Sequence, residues 1–275
     1  MDEKMLDRIS QAYKGELGEQ SKEDAYKRID WIRSNVKGET VLDVGCSQGI
    51  TSILLAKEGK TVVGIDSERS RIEYAENDKS REGIGDNLTF VCDDFLSHKF
   101  DSKFDCVIMG EVLEHVFSPV LFLEKARDLL TENGRLIVTV PFGINPFPDH
   151  KRTYYFMELF EQINQFVFVS DYHLLGNWVG FIADESNSKC NVSYNDELFK
   201  KIESNFYLID KRKQERVEKI KEENKNLNAI KTSLRKKIED LNTEVEFNRE
   251  EIQRLNKVIQ DKDEKRNQTE NELYI

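Results

Sequence analysis

Proline and glycine are missing from the last third of this 275-residue chain: all 4 prolines and all 14 glycines precede residue 186. Because both residues interrupt helices, their absence predicts uninterrupted helix there. The chain also has no apolar run near the roughly 18 residues that span a bilayer, and no basic-then-apolar start typical of a secretion signal. Its four cysteines show no C-x-x-C spacing that would indicate a zinc site. We therefore expect a cytoplasmic protein without a transmembrane segment.

Charge is distributed unevenly along the chain. The net charge is −11, but residues 1–185 hold 21 basic and 33 acidic side chains, a balance of −12, whereas residues 186–275 are nearly neutral at +1. An acidic domain repels phosphate groups, which disfavours nucleic acid as a partner. Hydrophobic residues make up only 38% of the chain, low for one compact globule, yet 10% are aromatic, too many for a disordered chain. The composition predicts a cored acidic domain joined to a charge-rich segment without a core.

The acidic part alternates strand and helix patterns. Five β-rich runs separated by helical stretches predict βαβ units and a buried parallel sheet. Two later β-rich runs are expected at an antiparallel edge. The predicted fold is α/β, a doubly wound, mostly parallel seven-stranded sheet followed by a long helical coiled coil. The predicted strands cover residues 40–44, 61–65, 88–92, 104–109, 134–140, 166–169 and 178–183. The predicted helices of this part cover residues 22–36, 51–57, 67–82 and 121–130.

Four segments are expected from these patterns. An N-terminal helical segment covers residues 1–36, and the sheet domain covers residues 37–185. A polar linker at 186–198 leads to a helical extension over residues 199–275.

The extension contains a heptad repeat over about residues 217–262. β-branched residues at many a positions and leucine at most d positions favour a parallel dimer, with a trimer as the alternative. Polar residues at two a positions, Asn224 and Lys231, would fix the register. At about 1.5 Å per residue the coil would be about 70 Å long. We therefore predict self-association through this segment.

A loop of small residues, 43–49, follows the first predicted strand and opens the next helix. Small residues let a ligand approach the backbone, and the helix N-terminus favours negative groups. Asp66 ends the second predicted strand, where a carboxylate accepts hydrogen bonds from ribose hydroxyls. Asp94 and Phe95 follow the third strand and would border an adenine. Together these strand ends predict a nucleoside-containing cofactor.

Two other kinds of site share part of this loop pattern. A nicotinamide site requires G-x-G-x-x-G, whereas this loop reads G-x-S-x-G followed by Ile50. The same five residues match the nucleophile elbow of serine hydrolases. That elbow needs several preceding strands and an upstream oxyanion loop, and only one predicted helix and one strand precede residue 45. Both interpretations therefore fit poorly.

Three ionisable side chains follow the fourth predicted strand. Glu111, Glu114 and His115 stand at i, i+3 and i+4, so a helix there would place all three on one face. Two carboxylates and an imidazole suit a divalent ion such as Mg²⁺, Mn²⁺ or Zn²⁺. The loop after the fifth strand carries His150, which would supply a fourth ligand or act as a general base. Lys151 and Arg152 beside it are candidates to hold an anionic group of an acceptor, or simply solvated loop residues.

The chain from about residue 20 to residue 185 resembles class I S-adenosylmethionine-dependent methyltransferases. The resemblance implies S-adenosylmethionine as cofactor, with the 43–45 segment at its methionine end, Asp66 at the ribose and Asp94 at the adenine amine. Ser47 stands where many members carry glycine. The cofactor contacts expected on this basis are Asp43, Gly45, Cys46, Gly49, Asp66, Asp94, Phe95 and Glu111.

The Glu-x-x-Glu-His run resembles that of ubiquinone-pathway O-methyltransferases. With a later histidine it also resembles that of small-RNA 3′-terminal 2′-O-methyltransferases, where these residues hold a catalytic metal. Many of the RNA enzymes have a second histidine where this chain has Val116. The expected catalytic residues are Glu114, His115 and His150. The expected metal ligands are Glu111, Glu114, His115 and His150. A histidine acting as a general base without metal is the alternative.

The predicted function is O-methylation of a sugar or polysaccharide end. The reason for this choice of acceptor is that a long coiled coil would dock the enzyme on a larger biosynthetic assembly. Chain-terminating methyltransferases of bacterial surface-polysaccharide synthesis are similar in joining such a domain to a coiled coil. Three alternatives stay open: a small phenol or quinone precursor as acceptor, an RNA 3′ end, and an inactive domain on a coiled-coil scaffold.

Overall fold

A computed structural model describes residues 8–143, 149–185 and 196–272. In it a single sheet of seven strands is flanked by helices, and a long helix follows. The strands are β1 (Thr40–Val44), β2 (Thr61–Asp66), β3 (Leu88–Cys92), β4 (Phe104–Gly110), β5 (Leu130–Pro141), β6 (Phe168–Leu174) and β7 (Trp178–Asp184). The helices are α1 (Arg8–Tyr13), α2 (Glu19–Asn35), α3 (Ile50–Lys57), α4 (Arg69–Arg81), α5 (Pro119–Leu129), α6 (Phe156–Asn164) and α7 (Asp196–Glu272).

The strand order is β3-β2-β1-β4-β5-β7-β6. Strands β1 to β5 run parallel, and β7 pairs antiparallel with both β5 and β6. The predicted doubly wound sheet with an antiparallel edge is therefore confirmed. The order reverses between β1 and β4, and ligands of such sheets bind outside the carboxyl ends of the strands at that reversal.

Both faces of the sheet are buried at its central strands, as a parallel sheet requires. Neighbouring residues of β1 show the alternation: Val41 packs into one apolar cluster and Leu42 into the other. The same alternation separates Val107 from Ile108 on β4. Because side chains alternate along a strand, continuous apolar runs bury both faces and fix the strand ends rigidly.

The segment after β4 differs from the prediction. Residues 111–118 form turns rather than a helix, so the expected helical face carrying Glu111, Glu114 and His115 is wrong. Glu111 has a φ of 60°, a left-handed conformation that a helix cannot contain. Helix α5 begins only at Pro119, and proline is favoured at a first helical position because its missing N–H is not needed there.

The chain divides into two compact units, residues 1–209 and 210–275. In the first unit the beginning of α7 packs on the domain: Leu198 and Ile209 are buried, and Asn205 Nδ2 donates to the Gly176 carbonyl at 3.0 Å. Helix α7 begins three residues before the predicted extension. In the second unit every described side chain from 213 to 267 is exposed. No helix of the described ranges combines the length and apolar character needed to cross a bilayer.

A methyl group added at Gly180 should destabilise the sheet domain. A Cβ there would lie 2.4 Å from the ring of Trp31 on α2, closer than atoms can approach. Overpacking of this kind costs about 1–3 kcal/mol of unfolding free energy. We expect Gly180→Ala to lower the urea midpoint accordingly. Gly85→Ala, where a Cβ meets nothing within 4 Å, is the matched control and should change the unfolding free energy by less than about 1 kcal/mol. Equal midpoints for the two variants would contradict this packing.

Candidate cofactor and acceptor site

Two glycines give the loop after β1 its path. Gly45 and Gly49 have φ values of 66° and 76°, which side-chain-bearing residues adopt only with strain. A Cβ on Gly45 would lie 2.7 Å from Val112, and one on Gly49 would lie 2.4 Å from the Phe90 ring. The loop therefore lies close against its surroundings and opens helix α3 at Ile50.

Asp66 fixes this loop to the end of β2. Its two carboxylate oxygens accept hydrogen bonds from the backbone N–H groups of Ser47, at 3.0 Å, and Glu68, at 2.9 Å. Ser47 itself has a φ of 48°, so its side chain is accommodated in a left-handed turn. A carboxylate offers about four acceptor positions, which leaves Asp66 able to accept further hydrogen bonds from a ligand.

Asp43 lies beneath the loop and is only 5% exposed. Its Oδ2 accepts a 2.6 Å hydrogen bond from the Ser52 hydroxyl. Burial raises the pKa of Asp43 to about 6, because no cation among the described residues compensates for the lost hydration. A bound cationic ligand would favour the charged form of this carboxyl.

Asp43, Gly45, Cys46 and Gly49 line one cavity together. Helix α1 closes part of it, because Ile9 and the fully buried Ser10 contribute to the same lining. This contribution of α1 was not predicted, because the residues of α1 carry no motif that indicates a role in the site.

Asp94 and Phe95 lie in the turn after β3. Asp94 is exposed, and its Oδ1 accepts a hydrogen bond from the Ser97 N–H at 2.9 Å. Phe95 is buried in the core, with its ring 5.2 Å from that of Phe122. The Phe95 side chain therefore belongs to the core, while the Asp94 carboxylate remains exposed at the end of β3.

Glu111 forms hydrogen bonds and an ion pair with other residues of the protein. Its carboxylate accepts a 2.6 Å hydrogen bond from Trp178 Nε1, lies 3.3 Å from the Arg28 guanidinium, and is 3.4 Å from the Thr139 hydroxyl. Arg28 is itself buried and lies over the Trp178 ring. A buried ion pair with this many donors resists disruption. Glu111 is thus not brought together with the other three predicted metal ligands, since its Oε2 faces Arg28 and Trp178 and its Oε1 lies near Thr139.

The other three predicted residues do converge. Potential ligand atoms of Glu114, His115 and His150 all lie within 4.8 Å of one another. Glu114 is 1% exposed, and neither of its carboxylate oxygens accepts a hydrogen bond from any residue that the structure describes. Burial and the nearby Glu111 charge raise the pKa of Glu114 well above its ordinary value. Burial also lowers the pKa of His115, which favours a neutral imidazole.

Backbone and side-chain contacts hold the His150 loop to the Glu114 turn. The Lys151 N–H donates to the Glu114 carbonyl at 2.7 Å, and Arg152 Nη2 donates to the Phe117 carbonyl at 2.9 Å. Arg152 is thus engaged in shaping the site, whereas Lys151 is exposed. The earlier part of this loop, residues 144–148, lies outside the described residues.

A protein family described as "Methyltransferase domain" matches residues 35–170 of this chain. The ubiquinone biosynthesis O-methyltransferase of Coxiella burnetii (strain Dugway 5J108-111) is 34% identical over 112 residues, which cover 40% of this chain and 47% of that protein. That of Histophilus somni (strain 2336) is 35% identical over 116 residues, covering 40% and 49%. The chain carries, in residues 35–170, a domain of the class I S-adenosylmethionine-dependent methyltransferase superfamily. It spans about half the length of the curated relatives it matches.

Solved structures agree on the fold. Magnesium protoporphyrin IX methyltransferase of Synechocystis PCC 6803 with bound SAH superposes with a TM-score of 0.52 at 18% identity, covering 66% of this chain and 89% of that one. S-adenosylmethionine is the cofactor of the superfamily, and the cavity under the 43–49 loop suits a positively charged group of its methionine end, the ammonium or the sulfonium, because Asp43 is buried there without a compensating cation among the described residues.

Cofactor affinity should rise with pH around the pKa of Asp43. Below about pH 6 the carboxyl of Asp43 holds a proton that a cationic ligand must displace, so affinity for S-adenosylmethionine should be up to about tenfold weaker at about pH 5 than at about pH 7. Calorimetric titration at both pH values measures the difference. In Asp43→Asn, which keeps a hydrogen-bond acceptor for Ser52, the Asp43-dependent difference should disappear. Equal affinities of the unsubstituted chain at the two pH values would contradict a cation beside Asp43.

Proposed function

We propose that this chain transfers the methyl group of S-adenosylmethionine to a hydroxyl oxygen of an acceptor. The observation that carries the proposal is the buried Glu114, whose two oxygens have no hydrogen-bond donor among the described residues and which lies beside His115 and His150. A buried carboxylate that accepts no hydrogen bond is costly to the fold, and His115 Nε2 lies 3.9 Å from Glu114 Oε1, so the position of Glu114 beside two histidines favours a role in chemistry. Because β1 and β4 are adjacent, the cofactor loop and the Glu114 turn leave the same edge of the sheet.

The chemistry asked of the protein is mainly positioning and proton removal. The sulfonium of the cofactor already activates its methyl group, so alignment of the acceptor oxygen with that methyl supplies much of the rate. Glu114 accepts the hydroxyl proton as the oxygen attacks. In its ionised form a carboxylate with a raised pKa is a stronger base than an ordinary glutamate, which favours removal of the hydroxyl proton.

The same three side chains fit a divalent ion. One carboxylate and two imidazoles match the donors that Mn²⁺ and Zn²⁺ accept, whereas Mg²⁺ prefers oxygen donors alone. Glu114, His115 and His150 would hold the ion, and Glu111 would not, because Arg28 and Trp178 occupy its carboxylate. A bound ion would lower the pKa of an acceptor hydroxyl.

The acceptor we place first is a phenolic hydroxyl. The curated relatives are named for ubiquinone biosynthesis, and a phenol is the more acidic class of hydroxyl for Glu114 to deprotonate. A sugar hydroxyl, the acceptor that the sequence alone favours, is second and is supported by the heptad repeat of α7. The charge of −12 in residues 1–185 opposes an RNA acceptor.

Replacing Glu114 should abolish transfer without abolishing cofactor binding. In Glu114→Gln the side chain keeps its size but loses its basicity, so labelled-methyl transfer to a catechol should fall at least about 100-fold. The affinity for S-adenosylmethionine, measured by calorimetry, should stay within a few-fold of the original. Glu124→Gln, an exposed position on α5, is the matched control and should keep full activity. Full activity in Glu114→Gln would remove Glu114 from the mechanism.

Direct titration with Mn²⁺ or Zn²⁺ separates the metal-assisted form of the proposal from the metal-free one. If the ion binds at this cluster, one equivalent should bind to the protein, and Glu114→Gln and His150→Ala should each weaken it at least about tenfold. His173→Ala changes a histidine that stacks on Trp31 instead, and should leave ion affinity unchanged. Equal ion affinity in all three variants would exclude a site at Glu114.

A further inference from the structure

The second unit of the chain carries an uncovered apolar seam along α7. Its ten large apolar side chains at a and d positions are each between 47% and 62% exposed. A soluble helix normally buries such a stripe, because water contact with apolar side chains is unfavourable. The seam residues are Val217, Ile220, Leu227, Leu234, Ile238, Leu241, Val245, Ile252, Leu255 and Ile259.

We infer that the seam is an interface with a second copy of this chain, in a parallel, in-register, two-stranded coiled coil. The apolar residues recur every three and four positions over six heptads, the spacing that keeps a seam facing a supercoiled partner. A copy of the same chain carries the same spacing over the same length, so every apolar layer of one helix finds an apolar layer on the other.

Core residues alone permit two orientations. In a parallel, in-register pair each seam residue meets its own counterpart. An antiparallel pair that puts Asn224 opposite Asn248 of the second copy also matches apolar layers, for example Leu227 with Val245. Orientation must therefore be decided by the residues that flank the seam.

The flanking charges favour the parallel orientation. The e positions carry Lys221, Arg235 and Arg249, whereas the g positions include three glutamates. In a parallel pair g faces e of the partner helix, which brings Glu244 near Arg249 of the second copy. At the first layer it also brings Arg216 near Lys221, which is the one like-charge pair of this orientation.

The antiparallel alignment sets like charges against each other instead. It places Lys221 near Arg249 of the second copy and Glu223 near Glu251, and it brings the two copies of Arg235 together. Like charges at these positions are unfavourable. The antiparallel alignment matches the apolar layers but thus places like charges together on both sides of the seam.

Polar seam residues set the register. In the parallel arrangement Asn224 meets Asn224 of the second copy, and Asn248 meets Asn248, so that the amides can hydrogen-bond to each other only when the helices are in register. Lys231 is the layer that fits least well, since two ammonium groups approach each other there. Its long stem lets the charge reach solvent.

The mass of the full chain in solution tests whether the partner of the seam is a second copy of the chain. Light scattering during gel filtration should give twice the chain mass of 32.2 kDa. Leu234→Glu/Leu241→Glu, which puts charges into the seam, should give a single-chain mass. Ser233→Glu/Thr243→Glu adds the same charge on the outer face of the helix and should keep the double mass. A single-chain mass for the unsubstituted protein would overturn self-association, and a triple mass would overturn the two-stranded assembly.

A disulfide test decides the orientation. Leu255→Cys is introduced after Cys92 and Cys190 are replaced by serine, which leaves only the buried Cys46 and Cys106. In the parallel pair the two Cys side chains at 255 meet, and mild oxidation should link most of the protein covalently into dimers. In the antiparallel alignment residue 255 lies opposite residue 217, so the two thiols would be roughly 57 Å apart. A double mass without a disulfide would overturn the parallel orientation.

Discussion

The burial of four carboxylates at one edge of the sheet is the constraint on which the rest of the site depends. Asp43, Asp66 and Glu111 each receive donors from within the protein, from Ser52, from backbone N–H groups, or from Arg28 and Trp178. Glu114 receives none from the described residues. Because the protein supplies hydrogen-bond donors to three of these carboxylates and not to Glu114, the site is organised around Glu114 and the two histidines beside it.

The sheet makes this arrangement possible. β1 and β4 lie side by side at the point where the strand order reverses, and their apolar runs are buried on both faces. Rigid strand ends hold the cofactor loop and the Glu114 turn in fixed positions. The ion pair between Glu111 and Arg28 also connects the Glu114 turn to helix α2. The left-handed backbone at Glu111 is a strained conformation that its buried ion pair and its hydrogen bond from Trp178 help to retain.

The strands and the cofactor loop could be predicted from the sequence because apolar runs and glycine spacing are local signals. Two parts of the site could not be. Arg28 and Trp178 lie 83 and 67 residues from Glu111, and only the folded sheet brings them together. The turn at 111–118 was predicted as a helix because residue spacing alone cannot reveal a left-handed φ at Glu111. His150 was placed correctly beside Glu114 because loops after adjacent parallel strands leave the same edge.

Methyl transfer from labelled S-adenosylmethionine to a panel of catechols, glycan ends and short RNAs tests the central claim most directly. The account predicts that label appears on a hydroxyl oxygen of one class of acceptor, with catechols first, and that the transfer depends on Glu114. Tight binding of S-adenosylmethionine without label on any hydroxyl, or label found on nitrogen or carbon, would contradict it.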